Sequence, residues 1–482
     1  EELRARLGRV PAPCAIDDPH GSTPRIALLG APSRAWVIGL HAIWRAGAAA
    51  VPLPTALPAA ALADRLRDVA PALGLADAAH RATLVEALRG PADRVIDLDA
   101  PGDLDASGGD DAARDWIAGP PSRAALLLFT SGTTGRPKAA VITHGNLAAW
   151  TSTLHRAWRW SADDRIVGVL PLHHVHGLVN VVGCALAAGA RCDLHPRFDA
   201  EDAWTALAAS GVTCFMAVPS VYQRLVESHA RADAAARRAC SAAASRLRLA
   251  VSGSAALPDP LRAAWRDLGG VELLERYGMT EIGMALSQPY DGARVAGTVG
   301  APLPGVAARV VDAAGAPVDV GVAGQLEIRG PNVFDGYFGR ADATSEAFRD
   351  GWLRTGDDAI RARQADGSVT WRLLGRRSVD ILKSGGELVS ALTVEAVLLA
   401  HPAIRACAVV GAPDARWGQR VTAVVELRDG VAPPDLDALR AWSSDRLAPW
   451  ERPRALRVVD ALPRNALGKV EKRRVLAMLD GA

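Results

Sequence analysis

The sequence predicts an α/β protein, with a large N-terminal domain of parallel βαβ sheets, a β-rich subdomain, and a small mobile C-terminal α+β domain. Three observations predict it. Apolar strand-length runs alternate with helical stretches from residue 25 to residue 251, short alternating strands broken by glycine follow residue 295, and helix and strand periods alternate again from residue 378. With 482 residues, 49% hydrophobic and 22% charged, the chain has material for roughly two to four structural units and a large core. A disulfide scaffold, a disordered chain and a fibre are excluded.

Residues 25–52 read as a buried strand, a helix with apolar residues at helical spacing, and a second short strand ending at Pro52. The alternation returns at 165–193, where a helical VNVVGCALAAG lies between two strands, and at 212–251, between VTCFMAV and LRLAVSG. Repeated units of this kind predict parallel strands covered by helices. The segments VAARVVDAAGAPV, GQLEIRG and SVTWRLLG carry the β-rich texture. In the last part, helices are expected around 391–400, 434–447 and 471–479, and strands around 404–410, 421–427 and 454–459. The expected division is a core of residues 1–376 and a lid of residues 377–482, with a hinge in Arg376–Asp380 at Val379 or Asp380.

Charge and cysteine usage narrow the function class. Lys+Arg 55 against Asp+Glu 53 gives +2 with no basic run, so a nucleic-acid partner is not expected and small molecules are. Apolar stretches are interrupted well short of the roughly 20 residues of a membrane span. The six scattered cysteines lack a CxxC pair and read as reduced thiols. With no signal peptide before the first element, a cytoplasmic location is expected, or the mitochondrial matrix if the source is eukaryotic; the start at Glu1 is compatible with an absent N-terminal piece. Composition says nothing about oligomeric state.

Only Lys138, Lys383, Lys469 and Lys472 are lysines among the 55 basic residues. A compact ammonium is irreplaceable where it must reach one oxygen, which makes these lysines candidates for chemistry. Lys138 closes the segment AALLLFTSGTTGRPK (124–138), an apolar strand followed by Thr130, Ser131, Gly132, Thr133, Thr134 and Gly135. Glycines let the backbone approach, hydroxyls and N–H groups donate, and the lysine supplies a charge, which together suit a polyphosphate. It is not a Walker A loop, because Lys138 is followed by Ala139 rather than Ser or Thr and Pro137 opposes entry into a helix.

FTSGTTGRPK resembles the phosphate loop of the adenylate-forming enzymes, which include acyl-CoA synthetases, luciferases and peptide-synthetase adenylation domains. The resemblance continues through GSAALP (253–258), ERYGMTE (275–281), TGD (355–357), LGR (374–376), KSGG (383–386) and RNALGK (464–469), in family order over nearly the whole chain. It implies ATP, Mg²⁺ and coenzyme A. It places Gly253, Ser254, Ala255, Arg276, Tyr277, Gly278 and Met279 at the nucleotide with the phosphate loop, Thr280 at the α-phosphate, Glu281 at the magnesium, and Asp357 and Arg376 at the ribose. Lys469 would bridge the substrate carboxylate and the α-phosphate. Lys383, Ser384, Gly385 and Gly386 would line the thiol tunnel after the small domain swings. Lys472 reads as a solvated helix residue with no role.

PLHHVHGLVN (171–180), FMAVPSVY (215–222), VSGSAALP (251–258) and MALSQPYDGARVAGTVG (284–300) further resemble malonyl-CoA synthetases. That likeness implies Arg294 as the cation for a distal carboxylate, with His174, His176 and Ser252 at the acyl pocket. The three neighbouring histidines have no Cys or carboxylate at ligand spacing, so a metal cluster is not expected there. The implied activity is ATP-dependent ligation of malonate to coenzyme A through malonyl-AMP. The alternatives are another acid such as methylmalonate, loading of a carrier protein, or a non-enzymatic nucleotide-binding relic. Ala139, Glu387, Leu388 and Thr393 depart from the family pattern, the last three near the thiolation face.

Overall fold

The structure is a computed structural model that describes residues 22–99, 120–130, 137–385, 387–414, 416–465 and 468–480. Four sheets organise it. The first has seven strands in the order Gly336–Tyr337, Lys138–Thr143, Ala124–Thr130, Ala49–Pro52, Arg25–Leu29, Leu73–Ala76 and Val95–Asp97. The second, also of seven, runs Ala301–Pro302, Gly283–Ser287, Leu274–Met279, Leu249–Gly253, Cys214–Ala217, Arg165–Gly168 and Arg191–Leu194. Strands such as Arg25–Leu29 and Leu249–Gly253 are buried along their whole length, which is why they read as unbroken apolar runs.

The expected βαβ units are present, and each sheet has a parallel centre. Each also ends in antiparallel pairs, at Ala124–Thr130 with Lys138–Thr143 and at Leu274–Met279 with Gly283–Ser287. Both hairpins carry motifs that the family resemblance assigns to the nucleotide. The β-rich part is a five-stranded sheet in which Trp352–Arg363 pairs with Ala323–Arg329, Phe348–Arg349 and Val369–Arg376. The last sheet joins Ile381–Ser384, Glu387–Ser390, Ile404–Asp414, Gly418–Leu427 and Ala455–Val458, covered by helices Ala391–Leu399 and Lys472–Asp480.

The helix His144–Trp158 ties the parts of the core together. Thr143 and Asn146 form a reciprocal capping box, and Asn146 Nδ2 also donates to the carbonyls of Pro331 (3.0 Å) and Val333 (2.8 Å). Further along, Trp150 Nε1 donates to Asn332 O at 2.7 Å and Trp158 Nε1 to Ser287 Oγ at 3.0 Å. The helix predicted at VNVVGCALAAG starts earlier, with a wide π-type stretch over His176–Gly183 that passes into Cys184–Ala188. Gly177 permits this path, since a Cβ there would lie 2.4 Å from Pro171 O. Such stretches are frequent at functional sites.

One sequence expectation is corrected here. Lys472 is not solvated: its side chain is 10% exposed and its ammonium lies 2.6 Å from Asp380 Oδ1 and 2.7 Å from Glu395 Oε1. Helix period alone placed it on an outer face, but the helix packs on the strand Ile404–Asp414 and turns Lys472 inward. Among the described residues no helix is long and apolar enough to cross a membrane.

Replacing Trp158 by alanine removes a fully buried indole and leaves the Ser287 hydroxyl without its donor. Its unfolding free energy in urea should drop by about 3–5 kcal/mol, and a loss below about 1 kcal/mol would mean the helix is not the tie described.

Candidate active site

The strands on either side of the glycine- and hydroxyl-rich segment, Ala124–Thr130 and Lys138–Thr143, pair antiparallel. Thr130 and Lys138 face each other, with Thr130 Oγ1 3.4 Å from Lys138 O. The chain therefore returns as a strand instead of entering a helix, as Pro137 requires. Ser131, Gly132, Thr133, Thr134 and Gly135 lie outside the described residues, as does Gly386. At the hairpin's end the Lys138 ammonium sits over the ring of Tyr337, 5.0 Å from its centroid.

Two carboxylates hold the sheets to one another around this point. Asp357, in the strand Trp352–Arg363, accepts from Tyr277 Oη at 2.6 Å and from Arg376 Nε at 3.0 Å. Its own N–H donates to Thr355 Oγ1 at 3.1 Å, so its rotamer is set from both sides. Burial pulls the Arg376 guanidinium down, but Asp357 outweighs that and raises it overall. Burial and the Asp357 charge push the Tyr277 hydroxyl well up, which keeps it a donor. Glu281 is buried and accepts from Tyr337 Oη at 2.8 Å; burial raises its carboxyl against the opposing effect of that bond. Thr280 lies in the turn between Leu274–Met279 and Gly283–Ser287. Gly278 keeps that turn tight, because a Cβ there would fall 2.0 Å from Gly283 O.

Tyr337 was not anticipated from the sequence. Its signal was available: it is one of only four tyrosines and follows a glycine, as Tyr277 precedes one.

The strand Leu274–Met279 also carries a buried cation, Arg276. Gly253 abuts the Arg276 guanidinium so closely that a Cβ would come within 2.6 Å of Cζ. Ser254 takes a left-handed φ of 68° and its Oγ lies 3.4 Å from Arg276 Nη2; Ala255 follows it on the loop toward helix Asp259–Gly269. Arg276 is only 3% exposed, and its Nε has no hydrogen-bond partner. Burial alone lowers its pKa to about 9. His176, Asn180 Nδ2 and Ser252 Oγ are likewise buried and unpartnered. Burial, then the Arg276 charge and His174, hold His176 well below its ordinary value, so it stays neutral. His176 lies near enough to Arg276 to feel its charge, so an unpartnered imidazole and an unpartnered guanidinium edge share one buried region, where an anion would offset the cost of leaving such groups unpaired. Asn180 was another residue missed by sequence reasoning.

Arg294, expected at a distal carboxylate, is engaged with backbone carbonyls. Its guanidinium donates to the carbonyls of Glu272, Pro289 (3.4 Å) and Tyr290 (3.2 Å). Glu272 precedes the strand whose other end bears Tyr277; at about 3.3 Å per residue they are roughly 17 Å apart. Arginine count and motif context could not distinguish a loop-fastening arginine from a pocket one.

Lys469 is exposed on a turn closed by Asn465 N to Lys469 O (2.9 Å) and Lys469 N to Asn465 Oδ1 (3.0 Å). Gly468 beside it rests on Ser220 at the start of helix Pro219–Arg231, where a Cβ would be 2.7 Å from Ser220 Oγ. The Lys469 turn is thus docked on the large domain. Lys383 is exposed, Ser384 is buried with its hydroxyl unpartnered, and Gly385 (φ 61°) presses on the Trp417 ring.

A family model described as AMP-binding enzyme matches residues 20–338, and one described as AMP-binding enzyme C-terminal domain matches residues 393–469. The chain belongs to the AMP-binding enzyme family. It is 41% identical to the mitochondrial malonate–CoA ligase ACSF3 of Xenopus laevis, over 95% of this chain and 83% of that one. Among solved structures it is similar to ATP-bound MatB from Rhodopseudomonas palustris, with a TM-score of 0.83 and 33% identity over 99% and 92% of the two chains. It is also similar to a malonyl-CoA ligase in a ternary product complex with methylmalonyl-CoA and AMP, at TM-score 0.65 and 38% identity over 96% and 92%. The more identical chain superposes less well. This AMP-binding enzyme thus has the arrangement nearer the ATP-bound form, in keeping with the Gly468–Ser220 contact.

Asp357→Asn should raise KM for ATP about 10- to 100-fold by weakening two charge-assisted bonds, measured by pyrophosphate release; an unchanged KM would remove Asp357 from the nucleotide site. A second expectation concerns acid stability. Burial lowers His144 to about 4, His173 to about 3 and His174 to about 4. The unfolded chain takes up protons at these residues below about pH 6.5 and the folded protein does not, so their stabilisation is complete above that pH and is lost as pH falls toward 4. Buried Glu275 and Glu281 act in the opposite direction, so the reading is a difference. Between about pH 7 and pH 5 the Tm of His173→Gln should fall less than that of the native protein, and equal slopes would show that His173 is not held neutral.

Proposed function

We propose that the protein ligates malonate to coenzyme A, using ATP and passing through malonyl-AMP, with release of AMP and pyrophosphate. The observation that carries this reading is the buried Arg276 guanidinium, with its free Nε, close to the unpartnered His176. A monocarboxylic acid would bring an alkyl or aryl tail into this region and leave the charge unpaired, at a cost of several kcal/mol. A short dicarboxylate brings the missing anion, with the neutral imidazole donating to its oxygens.

With the distal carboxylate on Arg276, the other carboxylate is left to attack the α-phosphorus of ATP. Asp357 receives the ribose hydroxyls, Tyr277 offers its face to adenine, and Arg376 steadies Asp357 between them. Lys138 faces the departing pyrophosphate, and Thr280 the α-phosphate. Lys469, on the docked turn, supplies the ammonium that offsets charge as one anion approaches another. Mg²⁺ would be held by Glu281 with phosphate oxygens and water, since no group of three or more ligating side chains occurs among the described residues; it would spread the negative charge of the leaving group. In the second half-reaction the thiolate of coenzyme A displaces AMP, with Lys383, Ser384, Gly385 and Gly386 proposed at the thiol path. The five described cysteines are free thiols, which fits the cytosol or the mitochondrial matrix.

The test is pyrophosphate release with ATP and Mg²⁺ over acetate, malonate, methylmalonate, succinate, benzoate and octanoate, each with and without coenzyme A. Malonate should lead the panel and give a thioester only with coenzyme A. Arg276→Met should lower kcat/KM for malonate at least about a hundredfold, whereas Arg294→Ala should leave it within about threefold. A monocarboxylate leading the panel would overturn the malonate reading.

A further inference from the structure

The buried cluster around Lys472 has no part in the Arg276 region, yet it is connected by bonds to Asp357 and Tyr277. The Lys472 ammonium lies between Asp380 Oδ1 (2.6 Å) and Glu395 Oε1 (2.7 Å), and Glu395 Oε1 also accepts from Val409 N at 2.7 Å. The other oxygen of Asp380 accepts from Arg376 N at 2.9 Å. Arg376 is the residue whose Nε reaches Asp357. Gly375 makes the approach possible: its φ is 118°, and a Cβ would stand 2.4 Å from Asp380 Cβ. The connected groups thus run from Tyr277 through Asp357, Arg376 and Asp380 to Lys472, three residues after Lys469.

The residue type fits the place. In a chain that uses arginine for nearly every cation, a lysine persists between two carboxylates that converge on one point. A planar guanidinium is too wide to put a single nitrogen there. Glu395 and Val409 belong to the small domain, whereas Arg376 ends a strand of the β-rich sheet, so Asp380 is the joint at which the two bodies are fastened.

We infer that Lys472 is the positioning residue of this joint: by clamping Asp380 it holds the small domain in the orientation that keeps the Lys469 turn on the large domain for adenylation. The inference rests on the adenylation chemistry proposed above, and it requires the clamp for the first half-reaction and not for thiol transfer. Lys472 touches no substrate and acts only through Lys469.

Asp380→Asn leaves the buried Lys472–Glu395 pair intact and weakens the clamp. Malonate-dependent pyrophosphate exchange should lose about tenfold or more in kcat with KM for ATP within about twofold, while coenzyme A should consume isolated malonyl-AMP within about threefold of the native rate. The double variant Lys472→Met, Glu395→Gln should behave alike, because it removes the ammonium without stranding Glu395 as an anion. Limited trypsin digestion reads the joint without any substrate: cleavage after Arg376 and Arg377 should be at least about fivefold faster in both variants, at an unchanged urea midpoint. Equal loss in both half-reactions, or unaltered hinge cleavage, overturns the inference, and so does an effect confined to Asp380→Asn. If the native protein shows no malonate-dependent exchange, the substrate reading fails, and the digestion by itself decides the clamp.

Discussion

The Asp357 carboxylate is the interaction on which the arrangement depends. It lies in the β-rich sheet, takes the Tyr277 hydroxyl from the second sheet, and takes Arg376 from the strand that leads to the small domain. Two sheets therefore meet at one anion, which also holds the end of the strand that leads to the small domain. A buried carboxylate accepting two donors has a single low-energy rotamer, and that rigidity is passed to both donors. The Tyr277 ring and Arg376 are in this way set by the same group that is proposed to receive the ribose.

Glu281 does the equivalent between the first and second sheets through Tyr337, whose ring in turn carries the Lys138 ammonium. The segment around Asn332 adds backbone clasps, with Asn332 Nδ2 on Ile282 O at 3.0 Å and Phe334 N on Glu281 O at 2.8 Å. The turn bearing Thr280 and Glu281 is thus held from outside its own hairpin. Pre-set donors and charges need no rearrangement when the phosphates arrive, which is the economical way to stabilise charge as it develops.

Against this polar rigidity stands a deficit at Arg276. It is buried with an unsatisfied Nε and has no ion pair among the described residues, whereas Arg262 is paired with Glu275 and Arg309 with Glu327. Such a deficit costs stability. In the function proposed above it is tolerable because the substrate completes the site, and a ligand with a second anion would remove the penalty.

Much of this was legible in the order of residues. Helix and strand periods placed the βαβ units and the change of texture, since both depend on local spacing, and a stretch of glycines and hydroxyls ending in a scarce lysine suggested phosphate binding. What needed the tertiary structure were the choices among identical residue types. Arg276 and Arg294 cannot be told apart by composition; one is buried by its neighbouring strand and the other fastens backbone carbonyls at the sheet's far end. Tyr337 and Glu281 are 56 residues apart, and Lys472 and Asp380 are 92 apart. Their meeting depends on which surfaces pack, and no local pattern records that. The sequence by itself therefore determined the elements, the nucleotide motifs and the family resemblance. Only the packing of four sheets decided which cation lacks a partner and which lysine fastens the hinge, because a buried charge is defined by everything that surrounds it.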